Sequence, residues 1–440
     1  MTKELDTSTV PFETDFQAFL PDQLGEPAWL AALRAGGWAT WQLEGYPARN
    51  DEEWRFTPIS VITEGNYCRP TSFNTKVYEE SLARLELPDA LLPAISFVNG
   101  DLVPDAGNTM QFVHSLKSYN NDASNPVRPG GLVNHSTGSF AALNNAFLED
   151  GAAIVIPDGV TTSDPIVVLY ANGGSNAAYA NLRSLISVGR NSSATVIEIF
   201  TGSANEKYFA NVVTEVYVDE GGQFTHIRLN LEGDSSAHIG NTTVSLQRDS
   251  VLSSHNITFG GLLSRHDIVC RLLGTGVSCT VNGIYLGHGE QLMDNHTTID
   301  HAAPHCESHE LYKGILGDKA RGVFNGKIFV RLDAQKTDAK QTNKVLLLSN
   351  DARINTKPQL EILADDVKCT HGATVGQLSS EALFYLRSRG IGMKEARAML
   401  VQAFAGDVLA RIPVESVKQY LEELLPEMLP HSPKDGKLLA

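Results

Sequence analysis

The stretch Ala364-Asp365-Asp366-Val367-Lys368-Cys369-Thr370-His371-Gly372-Ala373-Thr374-Val375-Gly376 sets a thiol and an imidazole two residues apart. Val367, Ala373 and Val375 alternate with polar or small residues, the period of a half-buried strand. Cys369 and His371 share their parity, so one face carries both. Same-face neighbours on a strand lie roughly 6.5–7 Å apart. A thiolate and an imidazole at that separation reach one small metal cluster, but do not clasp a single ion unaided. The plainer reading of the same pair is a buried thiol beside a satisfied core histidine. The apolar neighbours predict that the face is covered, by the interior of the fold or by a partner.

A second group is denser. His288, His296, His301, His305 and His309 are interleaved with Cys306, Asp294, Asp300, Glu307 and Glu310. A helix would align His301, His305 and His309, but Pro304 and the β-branched Thr297-Thr298-Ile299 oppose one. On strands, Asp294, His296 and Asp300 fall on one parity and His301, His305 and His309 on the other. That pattern predicts polar ladders on an outer face at least as well as a mononuclear site, and no tight zinc site is expected. Lys313, Lys319, Arg321, Lys327, Arg331, Lys336, Lys340 and Lys344 follow as a basic patch of solvated side chains, one that an acidic partner would fit. No GxSxG elbow and no Ser-His-Asp order is present.

The elements that must hold these residues change character along the chain. With 440 residues the prior is two or three domains, and 42% hydrophobic with 20% charged residues suits a soluble globular protein. No apolar run approaches the roughly 18–20 residues of a membrane span. Glu4, Asp6, Glu13 and Asp15 near the start oppose a signal or transit peptide, which makes the cytoplasm the expected location. A net charge of −16 argues against a nucleic-acid partner or an anionic lipid surface. Cys68, Cys270, Cys279, Cys306 and Cys369 are scattered without a CxxC pair, so neither a zinc ribbon nor a disulfide framework is expected. Without GxxxxGK[ST] or GxGxxG, direct binding of ATP or a dinucleotide is not expected either.

Residues 1–94 read as mostly helical. Pro27 opens a helix carrying Trp29, Leu30 and Leu33, and Gly36-Gly37 is expected to end it. Asp51-Glu52-Glu53-Trp54-Arg55-Phe56-Thr57 starts like a short capped helix, packed by its aromatics. Ile95 to Val103 reads as strand, Asn-Gly turn, strand, and Phe140 to Phe147 as a short helix. Short β segments broken by Gly, Asn, Asp or Ser then recur for more than two hundred residues. Their units of roughly 20–28 residues, without intervening helices, predict a β-solenoid over 95–376 rather than a doubly wound sheet or a sandwich. The helical pattern returns over 377–440. Phe384 and Leu386 lie on a helix ended by Gly390, Met399, Leu400 and Phe404 on a second, and Pro413 opens a third. This tail either caps the solenoid or docks a partner.

These residues carry a resemblance. Arg49-Asn50-Asp51-Glu52-Glu53-Trp54-Arg55-Phe56-Thr57, Phe140-Ala141-Ala142-Leu143-Asn144 and the long run from Gly283-Ile284-Tyr285-Leu286-Gly287 through Asp294-Asn295-His296-Thr297, Asp300-His301-Ala302-Ala303-Pro304-His305-Cys306 and Arg321-Gly322-Val323-Phe324-Asn325-Gly326-Lys327 to Ile354-Asn355-Thr356-Lys357-Pro358 are similar to the SufB/SufD family of iron–sulfur cluster assembly proteins. Phe384 to Ile391 extends the match. Lys368 to Gly376 resembles the SufD branch, whereas SufB members have a Glu-His-Glu-Ala-Thr-type segment and further cysteines. The resemblance implies a right-handed parallel β-helix between two helical regions and a non-catalytic scaffold subunit. It implies pairing with SufB through the core, docking of the ATPase SufC on the C-terminal helices, and a homodimer when the chain is isolated. It also implies a nascent Fe–S cluster shared with SufB, with His371 as the ligand by motif and Cys369 as a further one. The rival class is a β-solenoid enzyme acting on carbohydrate or acyl groups. Such an enzyme needs an acid-lined cleft or regular six-residue coils, and neither is evident.

Overall fold

The structure, a computed structural model, describes residues 10–20, 26–70, 74–104, 111–120, 127–134, 137–174 and 177–429. Glu4 and Asp6, used above against a targeting leader, lie outside these residues.

Helices α1 (Glu13–Phe19), α2 (Ala28–Glu44), α3 (Ser60–Thr63) and α4 (Thr75–Leu85) come first. They lead to an antiparallel hairpin of β1 (Ile95–Val98) and β2 (Asp101–Leu102). Asn99 and Gly100 turn it with φ of 52° and 95°, the left-handed pair that an Asn-Gly hairpin demands. Next come β3 (Val113–Ser115), α5 (Leu116–Asn120) and α6 (Ser139–Ala146). The solenoid strands follow: β4 (Ala152–Ile156), β5 (Ile166–Asn172), β6 (Ala178–Val188), β7 (Ser193–Gly202), β8 (Tyr208–Val218), β9 (Gln223–Asn230), β10 (Ala237–Leu246) and β11 (Val251–Thr258). The later coils hold β12 (Leu263–Leu272), β13 (Ser278–Gly287), β14 (Leu292–His301), β15 (Glu307–Leu316), β16 (Arg321–Val330), β17 (Asp338–Leu347), β18 (Arg353–Ile362) and β19 (Lys368–Gln377). Helices α7 (Ser380–Ser388), α8 (Met393–Leu409) and α9 (Glu415–Met428) close the described chain.

Each coil gives one strand to each of two sheets. β4 to β18 stack as the even-numbered sheet with β3 at its edge, and β5 to β19 as the odd-numbered sheet with β1 and β2. The solenoid pairings are parallel and in unbroken register. The expected fold class is therefore present: a mainly β, parallel solenoid with helices before and after it. Inward positions such as Val196, Val244, Ile268 and Phe324 form one apolar core along the axis. Outward residues of the odd sheet, among them Ile227, Ile257 and Ile315, pack under α4, α8 and α9. Outward residues at the start of the even strands, such as Phe209 and Leu263, pack under the aromatics of the first two helices.

Details refine the sequence reading. Coils in the even sheet begin at Tyr208, Ala237, Leu263, Leu292 and Arg321, 26–29 residues apart, the long end of the expected 20–28. The even strands start earlier than their apolar patterns because their first halves carry Asn181, His238, Asn241 and Arg265. Coil turns close at residues with left-handed backbone, including Asn191, Gly221, Asp249, Gly276, Asp318 and Lys336, mostly the Gly, Asn and Asp expected and without a fixed motif. Finally, α2 runs through Gly36-Gly37 to Glu44. Gly37 is there for contact: a Cβ would lie 2.6 Å from Ala142 O and 2.8 Å from Ala146 N of α6. Glycine lets two helices touch, at a propensity cost that packing offsets.

Candidate functional site

Cys369 and His371 both lie on β19, the last strand of the odd sheet. Their register partners on β17 are Ala339 and Gln341, which are buried and face inward. Both side chains therefore continue ladders of the solenoid interior. Cys369 is half-buried against Ala339, Ile328 and Val330. His371 is exposed, and Val375 is 46% exposed. The expected cover is thus not supplied by the fold itself. Among the described residues no coil follows β18 and β19, so inward-pointing side chains meet solvent at an open end. Burial pushes the Cys369 thiol up, against an easy thiolate.

Beneath this mouth the interior is polar. Glu310, Gln341 and His371 stack in register on β15, β17 and β19. The Gln341 amide donates to Glu310 at 2.9 Å. Asn343, next in the inward row, donates to Thr356 of β18 at 2.9 Å.

The histidine-rich segment is dispersed. His301 points inward and meets the Ser308 hydroxyl at 2.9 Å. His305 sits in a turn with φ 59°, and His309 faces outward on β15. The shared parity of His301, His305 and His309 fails because the turn at 302–306 breaks the alternation. Among the described residues, no group of three or more His, Cys, Asp or Glu could hold a metal ion. Lys313 is not a solvated patch residue either. It is 4% exposed, donates to the Phe404 carbonyl at 2.8 Å and pairs with Asp407 at 2.9 Å, which fastens α8 to the solenoid.

His296 also faces outward, from β14, and the Asp51–Thr57 motif reaches it. Asp51 caps a short 3-10 turn at Glu52–Trp54. Trp54 lies over Arg265 at 3.8 Å, and Thr57 donates to Asp294 at 2.5 Å. His296 lies 3.2 Å from Glu53 and 3.0 Å from Asp294, with Asp267 at 3.7 Å, and Arg265 bonds Asp267 and Asp294. Burial alone would depress the His296 pKa, but Asp294 and Glu53 outweigh it and hold it up at about 9. The ordinary value is 6.5, so this latch stabilises the fold fully below about pH 6.5. The contribution fades as the pH climbs through about 9. Stability should therefore fall between pH 7 and 9.5, and His296→Gln should flatten that fall. Urea midpoints across that range check it; an unchanged slope in the variant would show that His296 is not the titrating group.

The tail residues divide. Phe384 is 75% exposed and Met399 43% exposed, while Leu386 and Leu400 are half-buried. Phe404 is half-buried under Lys313 and belongs to the contact between α8 and the solenoid, not to a free face.

Sequence reading missed the polar interior. Glu198, His226, Arg228 and Glu310 are buried inward residues. Their signal was parity: Phe224, His226, Arg228 and Asn230 alternate on one face of β9, and Glu198 stands between Val196 and Phe200.

Comparison with known proteins gives the family. The sequence matches the model of the SufBD core domain of SUF-system iron–sulfur cluster assembly over residues 170–404. It is 33% identical over 394 residues to an iron–sulfur cluster assembly SufBD family protein of Synechocystis, covering 86% of each chain. It is 31% identical over 389 residues to the iron–sulfur cluster assembly protein SufD of Escherichia coli, covering 88% of this chain and 90% of that one. Against SufD of Bacillus subtilis the identity is 27% over 423 residues, with 91% and 94% covered. A parallel solenoid with these motifs in these coils, matched along most of its length, places the chain in the SufBD family of iron–sulfur cluster assembly proteins, on the side of its SufD members.

Proposed function

We propose that the chain is the SufD-type subunit of a scaffold formed with SufB and SufC, and that the open end at β18 and β19 is the face that pairs with SufB. The nascent cluster is the cargo of that junction. His371 is its ligand from this chain and Cys369 a further one, each acting in its deprotonated form. One observation carries the reading. The inner faces of the last coil stay in register with the core yet lie uncovered, and an uncapped solenoid end calls for a cap or a partner. The three parts follow as 1–94, a core over 95–376 and a docking region over 377–440. ATP hydrolysis belongs to SufC, and the location is cytoplasmic. No helix among the described residues is long and apolar enough to cross a membrane. A homodimer through the same open end is the form expected of the isolated chain.

The rival, a solenoid enzyme, would use the groove beside His296. Its acids are engaged instead: Asp267 with Arg265, Asp300 with Arg331, and Glu361 with Lys327. Co-expression with SufB and SufC and anaerobic purification tests the proposal. A stable complex with an Fe–S absorbance supports it, and a chain that purifies alone contradicts it.

The SufC face needs point variants. Cutting the chain at Ser379 would strip α8 and α9 from Ile257, Ile284 and Ile315, exposing core as well as removing a dock. Phe384→Asp and Met399→Asp alter exposed side chains only. Each should weaken SufC pull-down by roughly 2 kcal/mol, the scale of an interface hot spot, with SufB pairing unchanged. Undiminished capture of SufC by the double variant would mean that the tail only caps.

A further inference from the structure

The interior of a solenoid this apolar has no packing need for ionisable side chains, yet they run along its axis. In the early coils Glu198 accepts from Ser184 at 2.6 Å and meets His226 at 2.8 Å. Further along, His266 meets Thr242 at 2.9 Å, and Asn256 donates to the Tyr312 hydroxyl at 3.3 Å. Gly283 makes that last reach feasible, since a Cβ there would strike the Tyr312 ring at 2.2 Å. Tyr312 neighbours Glu310 along the inward row of β15, and Glu310 meets Gln341 beneath His371.

The breaks between these pairs share a property. Each is flanked by a fully buried polar atom without a partner among the described residues: His226 Nδ1, His266 Nδ1, Asn256 Oδ1 and Gln341 Oε1. Buried polar atoms of this kind are satisfied by internal water held by two to four polar partners. Water at these four atoms would join the pairs into one hydrated file.

We propose that these inward polar residues form a proton path along the solenoid axis, ending at Glu310 and Gln341 beneath the open end. Glu310 is the proton-holding group of the path. It faces Thr297 of β14, Gln341 of β17, Tyr312 of its own strand and Cys279 of β13. No cation pairs with it among the described residues, and burial raises its pKa to about 7. A proton shed at the mouth passes through water at Gln341 Oε1 to the Glu310 carboxylate, which releases one to the file behind, so charge balances. Ligands at the mouth must shed protons to bind metal, and a mouth sealed by a partner leaves the axis as their way out. That use rests on the function proposed above; the path itself does not.

Infrared spectroscopy of the full-length chain at pH 6 tests the path without any cluster. Glu232, which burial also raises to about 8, contributes its own acid band, so the readout is the wild-type minus Glu310→Gln difference. The expected result is a carboxylic-acid C=O component in that difference that shifts in D₂O about a thousandfold faster than the amides of the central strands exchange. Gln341→Leu should slow the shift toward the amide rate. A Glu310 component that exchanges no faster than those amides, or a difference spectrum without an acid component, would overturn the proposal. So would an exchange rate untouched by Gln341→Leu. Should Gln341→Leu fail to fold, the wild-type comparison of acid with amides still decides.

Discussion

Arg183→Ala is expected to cost about 3–5 kcal/mol of stability, the scale for breaking one side of a buried ion pair. Arg183 on β6 and Glu215 on β8 are both completely buried and joined to each other. Arg183 also donates to Asn144 at 2.9 Å and to Asn145 at 2.8 Å, both on α6. Glu215 accepts from the backbone of Gly130, Leu132 and Val133 at 2.6–3.0 Å. One ion pair thus fastens both α6 and the 130–133 segment to the even sheet, and truncating the arginine leaves a buried carboxylate without its cation. Urea unfolding reads the loss. Glu215→Gln added to Arg183→Ala should recover part of the loss, since it removes the unpaired charge while its amide oxygen still accepts from the 130–133 backbone. A single-variant loss below about 1 kcal/mol would show that the pair does not hold these elements.

His371→Ala should separate ligand from scaffold. The side chain is exposed in the single chain, so its loss should change stability by no more than about 0.5 kcal/mol, as for surface positions. Cluster retention should fall far more. Removing even an outer-shell partner of a metal ligand costs roughly 10–100-fold in affinity, and a direct ligand should match or exceed that. Fe–S absorbance per SufB-paired complex, taken with the melting temperature, reads both. Cys369→Ser should be milder, because burial raises that thiol and disfavours the thiolate. Full cluster occupancy in a normally paired His371→Ala complex would remove the ligand role.

Much of this architecture could be read from the chain. The Asn99-Gly100 turn, the α6 segment and the long succession of short strands followed from local chemistry alone, and the shared face of Cys369 and His371 followed from strand parity. What escaped depended on neighbours distant in sequence. Gly37 looked like a stop because glycine is a poor helix former, and only the contact with α6 shows why it sits mid-helix. The even strands looked short because their polar halves lie under the N-terminal segment. Arg265, for example, is covered by Trp54. His309 was grouped with His301 because a parity count cannot see the turn at His305. The apolar Val367, Ala373 and Val375 left cover by the solenoid interior or by a partner open, because the pattern gives the facing of a strand but not whether another coil follows it.

The most direct measurement uses histidine labelled with ¹⁵N in this chain alone, paired with unlabelled SufB and loaded anaerobically. Pulsed electron paramagnetic resonance of the reduced cluster then asks whether a nitrogen of this chain is bonded to iron. With His371 as the ligand, a ¹⁵N coupling of directly ligated strength is expected, and it should disappear in His371→Ala. A loaded complex without such a coupling, or one in which it persists after His371→Ala, would contradict that role.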